Sequence, residues 1–258
     1  MRLLFIRHGD PDYIHDCLTE TGKREAAILA EHIEALHPGE LYVSPLGRAQ
    51  ETASYSLAKL GREAVMFPWL EEFPGRVDPN LSEEVQKAYE IEWIAEEGRY
   101  RPRILWDMLP SYWGAHPELF HPEDWKTSEI VRCSDMLPLY DRAVNGLDSL
   151  LAEHGYVRDG RIYHAERPNE KTLTFFCHFG ITCVLLSHLW NCSPFLLLQN
   201  TATAPTSVTE TVTEERQRGI VSFRMLRMGD ISHLTAAGMQ PSFSARFCET
   251  YDNKEQRH

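Results

Sequence analysis

The first apolar run of the chain, Leu3-Leu4-Phe5-Ile6, has no polar interruption and ends in Arg7-His8-Gly9. A run this short and uniformly apolar predicts a strand buried on both faces. From about Thr21 to Leu36 the period changes. Ala26, Ala27, Leu29, Ala30, Ile33 and Leu36 recur near 3.6, which predicts a helix stopped by Pro38-Gly39. Leu41-Tyr42-Val43 predicts a second strand, with Ser44 as cap residue and Pro45 in the first turn of a helix that reaches Leu60 and ends at Gly61. Ala64 to Phe67 predicts a third strand. Strand alternating with helix up to this point predicts an α/β sheet with right-handed crossovers.

Beyond residue 77 the alternation fails. Ser82 to Glu97 reads as a helix, followed by a proline-punctuated stretch carrying Trp106, Tyr112, Trp113, Phe120 and Trp125. Residues 78–127 are read as an insertion. It is either a cap or lid, or a surface subdomain that buries its own aromatics. A long helix then ends near Glu153, with Tyr140, Val144, Leu147 and Leu151 on one stripe and Gly155 as terminator. Thr172 to Cys177 is a fourth buried strand, running into His178-Phe179-Gly180, and another helix follows to about Trp190. Val208 to Val212 and Ile220 to Arg227 predict a terminal hairpin joined by the polar segment Glu214 to Gly219. The expected fold is a three-layer α/β sandwich: a mostly parallel central sheet flanked by helices, as one domain over residues 1–258 with the inserted cap at about 78–127.

Composition narrows the partners. The chain has 258 residues, of which 43% are hydrophobic and 25% charged, which fits one large domain with a full core. Its formal net charge of -12 argues against nucleic acid or anionic membrane as a general partner, yet leaves room for a small anion held by a local group of arginines. No apolar run is long enough to span a bilayer, and the N-terminus lacks a secretory signal pattern, so a cytoplasmic enzyme is expected. Cys17, Cys133, Cys177, Cys183, Cys192 and Cys248 form no C-x-x-C pair and read as free thiols of a reducing compartment. The twelve histidines include no H-E-x-x-H pattern, and no metal site is expected.

The candidate chemistry lies at the ends of the apolar runs. Arg7 and His8 end the first strand, Arg48 lies in the first turn of the helix after the second, and His178 ends the fourth. Ligands of open α/β sheets bind at the carboxyl ends of strands, so these four groups can converge on one crevice. Helix N-termini there add N–H donors, arginines grip phosphoryl oxygens, and a neutral histidine can attack phosphorus. Taken singly, R-H-G and C-H-F-G are weak signals, and the joint pattern carries the argument.

That joint pattern resembles a known family. Arg7-His8-Gly9 after Leu4-Phe5-Ile6, Leu18-Thr19-Glu20-Thr21-Gly22, the run from Ser44-Pro45-Leu46-Gly47-Arg48 to Ala49-Gln50-Glu51-Thr52-Ala53, and Phe176-Cys177-His178-Phe179-Gly180 resemble the histidine phosphatase superfamily, also called phosphoglycerate mutase-like. The resemblance covers roughly residues 1–75 and 130–235. It implies that His8 is a nucleophile forming a phosphohistidine, that Arg7, Arg48 and His178 hold the phosphoryl oxygens, and that no cofactor or metal is needed. It also implies a carboxylic acid after the third strand in an L-x-E context, here Trp69-Leu70-Glu71-Glu72-Phe73. Counting from Leu70 selects Glu72, counting back from Gly75 selects Glu71, and Glu72 is preferred because the leucine anchors the segment. Gly9, Asp10, Phe179 and Glu71 are expected to neighbour the substrate.

The chain departs from the family at Asp10-Pro11, at Phe179 in place of a glycine, and at Gly75-Arg76-Val77 where G-x-W-E-G is common. It also lacks the E-R-H-Y-G and R-R-S segments of cofactor-dependent phosphoglycerate mutases. A phosphatase acting on a small phosphorylated metabolite is therefore expected. The alternatives are a mutase and a catalytically silent phospholigand-binding protein on the same fold.

Overall fold

A computed structural model describes residues 1–242 and 250–252. Cys248 lies outside the described residues. The chain divides into two compact units. One comprises Met1–Glu72, Leu151–Thr182 and Ala202–His258, the other Phe73–Leu150 and Cys183–Thr201. The elements used below are β1 (Arg2–Arg7), α1 (Glu20–His32), β2 (Glu40–Val43), α2 (Gly47–Leu60), β3 (Val65–Met66) and α3 (Met136–Glu153). They continue with β4 (Tyr156–Asp159), β5 (Ile162–Ala165), β6 (Thr172–Cys177), α4 (Phe179–Trp190), α5 (Pro194–Asn200), β7 (Val208–Gln217), β8 (Ile220–Asp230) and α6 (Ser232–Ala236).

The first unit is built on a sheet in the order β4-β5-β8-β7-β1-β6-β2-β3. Strands β1, β6, β2 and β3 pair in parallel, while β7, β8, β5 and β4 extend the sheet antiparallel. The expected α/β architecture, a central sheet flanked by helices, is present. The apolar runs explain the burial of its centre. Alternate residues of a strand face opposite sides. Leu4 and Ile6 of β1 join Leu29 and Ile33 of α1, Leu41 and Val43 of β2, and Phe176 of β6 in one core cluster. The residues between them face the other way. Phe5 stacks on Phe175 at 5.1 Å, Tyr42 on Phe175 at 5.3 Å, and Phe67 on Tyr42 at 5.1 Å.

Three local expectations need correction. First, α2 begins at Gly47 with Leu46 at its N-cap, not at Ser44-Pro45. The Ser44 hydroxyl is instead taken by His178, at 2.7 Å from its Nε2, and by the Leu46 N–H at 3.3 Å. Second, the strands of the terminal hairpin run further than expected, Val208–Gln217 and Ile220–Asp230, so that most of the expected connecting segment Glu214 to Gly219 is itself strand; β8 also pairs with β5. The hairpin β4–β5 turns through Gly160-Arg161, with the glycine taking a φ of 56° at the first loop position. Third, the helix expected over 82–97 is only Glu83–Gln86. The carbonyl of Ala88 accepts from the N–H of Leu109 at 2.8 Å rather than from the next helical turn. Glu92 and Glu96 would moreover repel at i,i+4 spacing. The segment instead forms a small ribbon, Trp93–Ile94 against Arg99–Tyr100.

Residues 78–127 all fall in the second unit, and they form short helices, 3-10 turns and two-residue strands around buried side chains. Its largest buried side chain is Trp125, 1% exposed, which meets Tyr140 edge-on at 5.0 Å and Phe195 at 6.2 Å. Trp106 and Trp113 are half-buried. Among the described residues no helix is long and apolar enough to cross a membrane.

Trp125→Ala is expected to lower stability by about 3–5 kcal/mol, the usual cost of emptying a buried indole site. Chemical denaturation followed by tryptophan fluorescence and circular dichroism would read it as a lower midpoint. A change under 1 kcal/mol would mean that the second unit does not depend on this cluster.

Candidate active site

The parallel register brings the strand ends level. Arg7 pairs with Cys177 across β1 and β6, and Phe176 with Val43 across β6 and β2. The first residues beyond these pairs are therefore neighbours: the His8 N–H donates to Cys177 O at 3.0 Å, and the Ser44 N–H to Phe176 O at 3.0 Å. The His8 and His178 rings lie 5.0 Å apart.

The His8 ring is oriented by its own backbone, since Nδ1 lies 2.7 Å from the Gly9 carbonyl. A carbonyl only accepts, so Nδ1 carries the proton and the lone pair is left on Nε2. The ring is 2% exposed. Burial first, and then the Arg7 and Arg48 charges, hold His8 well below the ordinary histidine range, against the opposing Gly9 bond. His178 is held low by burial, then by His8, Arg48 and Arg7. Both rings are thus neutral near pH 7.

The two arginines are held in the same manner. The Arg7 guanidinium donates through Nη1 to Thr203 O, and that of Arg48 through Nη1 to Asp16 Oδ1 at 2.6 Å. In each the buried Nε has no hydrogen-bond partner among the described residues, and neither has the Nδ1 of His178. Buried donors are rarely left unpaired; with the Nε2 of His178 accepting the Ser44 hydroxyl proton, its Nδ1 is the third such donor, and the three together can meet an acceptor. Arg48 stands at the second position of α2. Asp16 also accepts from the Gly47 N–H at 2.6 Å and so caps that helix from a loop, replacing the cap that Leu46 cannot provide.

The remaining motif residues build the frame. Thr52 receives the Gly9 N–H at 2.9 Å and donates to the Arg48 carbonyl at 2.8 Å, which ties the loop after β1 to α2. Glu51 accepts from the Leu18 N–H at 2.6 Å. Gly9 and Gly22 sit back to back: a Cβ on Gly9 would lie 2.7 Å from Gly22 O, and one on Gly22 2.2 Å from Asp10 O. The Asp10 N–H donates to buried Glu25 at 2.7 Å, and the Asp10 carboxylate accepts the Thr19 hydroxyl at 2.7 Å. Phe179 opens α4 and is half-buried. Glu71 is exposed, whereas Glu72 is half-buried and accepts from the Ile181 N–H at 3.1 Å, in the first turn of α4. Among the described residues no group of three or more His, Cys, Asp or Glu could hold a metal ion.

The structure thus groups Arg7, His8, Arg48 and His178, and sets Glu72 at the helix that follows His178. Residues passed over in the sequence are Asp16, Ser44, Thr52, Thr203 and Thr206. Ser44 and Thr52 were visible inside the S-P-L-G-R-A-Q-E-T run. The others carry no pattern, because they act through loop contacts.

Residues 3–104 match the family model described as histidine phosphatase superfamily (branch 1). No curated protein matches the chain. Several solved structures do. A phosphoserine phosphatase mutant from Entamoeba histolytica in complex with phosphoserine is 15% identical, with a TM-score of 0.57 over 90% of this chain and 98% of its own. A mycobacterial glucosyl-3-phosphoglycerate phosphatase with inorganic phosphate is 18% identical, with a TM-score of 0.56 over 90% and 98%. A protein titled mycobacterial hydrolase 2 is 17% identical, with a TM-score of 0.54 over 92% and 96%. At these identities the likeness is one of fold.

The two depressed histidines make a prediction about stability and pH. A histidine that is harder to protonate folded than unfolded gives an unfolded state that binds more protons, so stability rises with pH. The contribution of His8 and His178 is present above about pH 6.5 and is lost progressively as pH falls below it. Urea midpoints between pH 7.5 and 5 should drop in the wild type and drop less in His8→Asn. Parallel curves would contradict the burial of a neutral ring.

Proposed function

For a chain whose residues 3–104 match the histidine phosphatase superfamily model, we propose a phosphatase that hydrolyses a small phosphomonoester through a phosphohistidine on His8. The observation that carries this is the His8 ring: neutral, with its proton spent on the Gly9 carbonyl and its lone pair on Nε2, beside three buried donors without partners. The phosphatases of similar fold, crystallised with phosphoserine or inorganic phosphate, support a small phosphorylated metabolite as substrate.

The reaction runs in two displacements. The Nε2 lone pair attacks phosphorus in line, the P–N bond forms, and the bond to the leaving oxygen breaks. The Nε edges of Arg7 and Arg48 and the Nδ1 of His178 take the equatorial oxygens, where charge develops, so no metal is required for that role. Glu72 passes a proton to the leaving alkoxide. It then takes one from water, which attacks phosphorus, breaks the P–N bond and returns the lone pair to Nε2. Glu71, being exposed, is assigned no proton transfer. Gly9, Asp10 and Phe179 are proposed as neighbours of the bound ester.

Hydrolysis of para-nitrophenyl phosphate should persist in EDTA and leave an acid-labile phosphoryl adduct on the wild type. His8→Ala should lack both activity and adduct. Replacing Arg7, Arg48 or His178 should cost on the order of 10²-fold in rate, the usual cost of one lost oxyanion donor. An acid-stable adduct, or full activity in His8→Ala, would end the covalent-histidine reading.

Glu72→Gln should slow esters of poor leaving groups far more than para-nitrophenyl phosphate, whose leaving group departs without a proton. Glu71→Gln should alter neither. The reverse pattern would move the acid to Glu71.

A further inference from the structure

The segment between α5 and β7 grips Arg7 and the His8 peptide from behind. The Thr203 carbonyl receives the Arg7 guanidinium and the Ser207 carbonyl receives the Arg7 N–H at 3.1 Å. The Thr206 N–H is shared between Arg7 O at 3.1 Å and His8 O at 3.2 Å. One short segment therefore fixes both the guanidinium and the peptide that carries the His8 ring.

At its centre stands an outlier. Thr206 has a φ of 58°, a left-handed conformation that suits glycine and disfavours a β-branched side chain. Such strain persists only where surrounding contacts over-determine it. Here the contacts are visible. The Thr206 hydroxyl lies 2.8 Å from Pro205 O and 3.0 Å from the Nε2 of His233, and both side chains are buried. A hydroxyl has one proton, and Pro205 O can only accept it. Both contacts are satisfied only when His233 carries its proton on Nε2 and donates to Thr206. The surroundings keep that ring neutral: burial, with His32 beside it and Asp230 opposing, pushes His233 down to about 4. His233 is presented by α6, a separate element from every strand that supplies the site.

We propose that His233 and Thr206 form a positioning pair for the phosphoryl-accepting histidine: the imidazole locks the Thr206 hydroxyl, and the locked left-handed peptide aims its N–H at the Arg7 and His8 carbonyls. This rests on the phosphohistidine reading for its catalytic meaning, though not for its geometry. Neither residue touches the reacting atoms. Their effect is on the direction of the His8 lone pair, and a misplacement of about 1 Å at a reacting group can cost up to 10²-fold in rate.

The test compares Thr206→Val, which keeps the branched shape and removes the hydroxyl, with Thr206→Ser, which keeps the hydroxyl. His233→Phe, which removes the donor, is compared with His233→Gln, which keeps one. Thr206→Val and His233→Phe should lose kcat about 10-fold or more with KM little changed, within the range a misplaced reacting group produces. The Ser and Gln variants should recover most of that loss. If His233→Phe does not fold, the Thr206 pair alone decides. A second measurement needs no turnover. Nitrogen-15 NMR of the histidine rings in the free protein should show His233 protonated on Nε2 and His8 on Nδ1, with the His8 signal redistributed in Thr206→Val. Variants that lose thermal stability but keep kcat and the His8 ring signals would overturn the proposal. Absence of any His8 adduct in the wild type would overturn the proposed function instead, and the ring signals would still judge the pair.

Discussion

Everything at the candidate site depends on one interaction, the parallel pairing of β1 with β6. It sets Arg7 level with Cys177, so that His8 and His178 leave adjacent strands side by side. Parallel bonding is available only because both faces of these strands are apolar and covered. Leu4 and Ile6 are sealed by α1, α2 and their neighbours, while Phe5 is sealed by the ring stack of Phe175, Tyr42 and Phe67. The polar residues begin where the apolar run stops. The site is thus an end effect of the core: side chains that cannot enter it collect at its rim, where helix N-termini and loop carbonyls are also available to hold them.

Much of this was legible in the sequence, for a physical reason. Runs such as Leu3–Ile6 and Thr172–Cys177 have one favourable fate, and a charged residue at their end must lie at the strand's exit. Arg7, His8 and His178 could be placed by that logic, and Arg48 by the turn after β2. The helix assigned to 82–97 shows where the logic fails. Its local propensity is helical, but the Ala88 carbonyl finds a distant partner in Leu109, and long-range pairing outweighs propensity. The hairpin β4–β5 was passed over although Gly160 marked its turn, because its four-residue strands, Tyr-Val-Arg-Asp and Ile-Tyr-His-Ala, form neither an apolar run nor a clean alternation.

The least legible layer is the frame behind the site. Asp16, Thr203, Thr206 and His233 lie in four different segments and meet the arginines or the His8 peptide through carbonyls, a cap and a strained turn. No periodicity announces such contacts. They matter because the two histidines are kept neutral and directional by their surroundings rather than by their own chemistry. A ring that is buried, oriented by its neighbour's carbonyl and repelled by two cations stays neutral, with its lone pair in a fixed direction, only while that frame holds.

The Asp16–Arg48 pair has a further consequence. The guanidinium already has an anion on one edge, and that same carboxylate rests on the N-terminus of α2. For any anion that reaches Arg48, binding is therefore not a simple addition of opposite charges. It is a sharing or an exchange between two anions, one tethered and one free. The tethered anion is present at a fixed effective concentration set by its loop, so the locus behaves as a pre-loaded ion exchanger. Its discrimination rests on the difference between two affinities rather than on the strength of either.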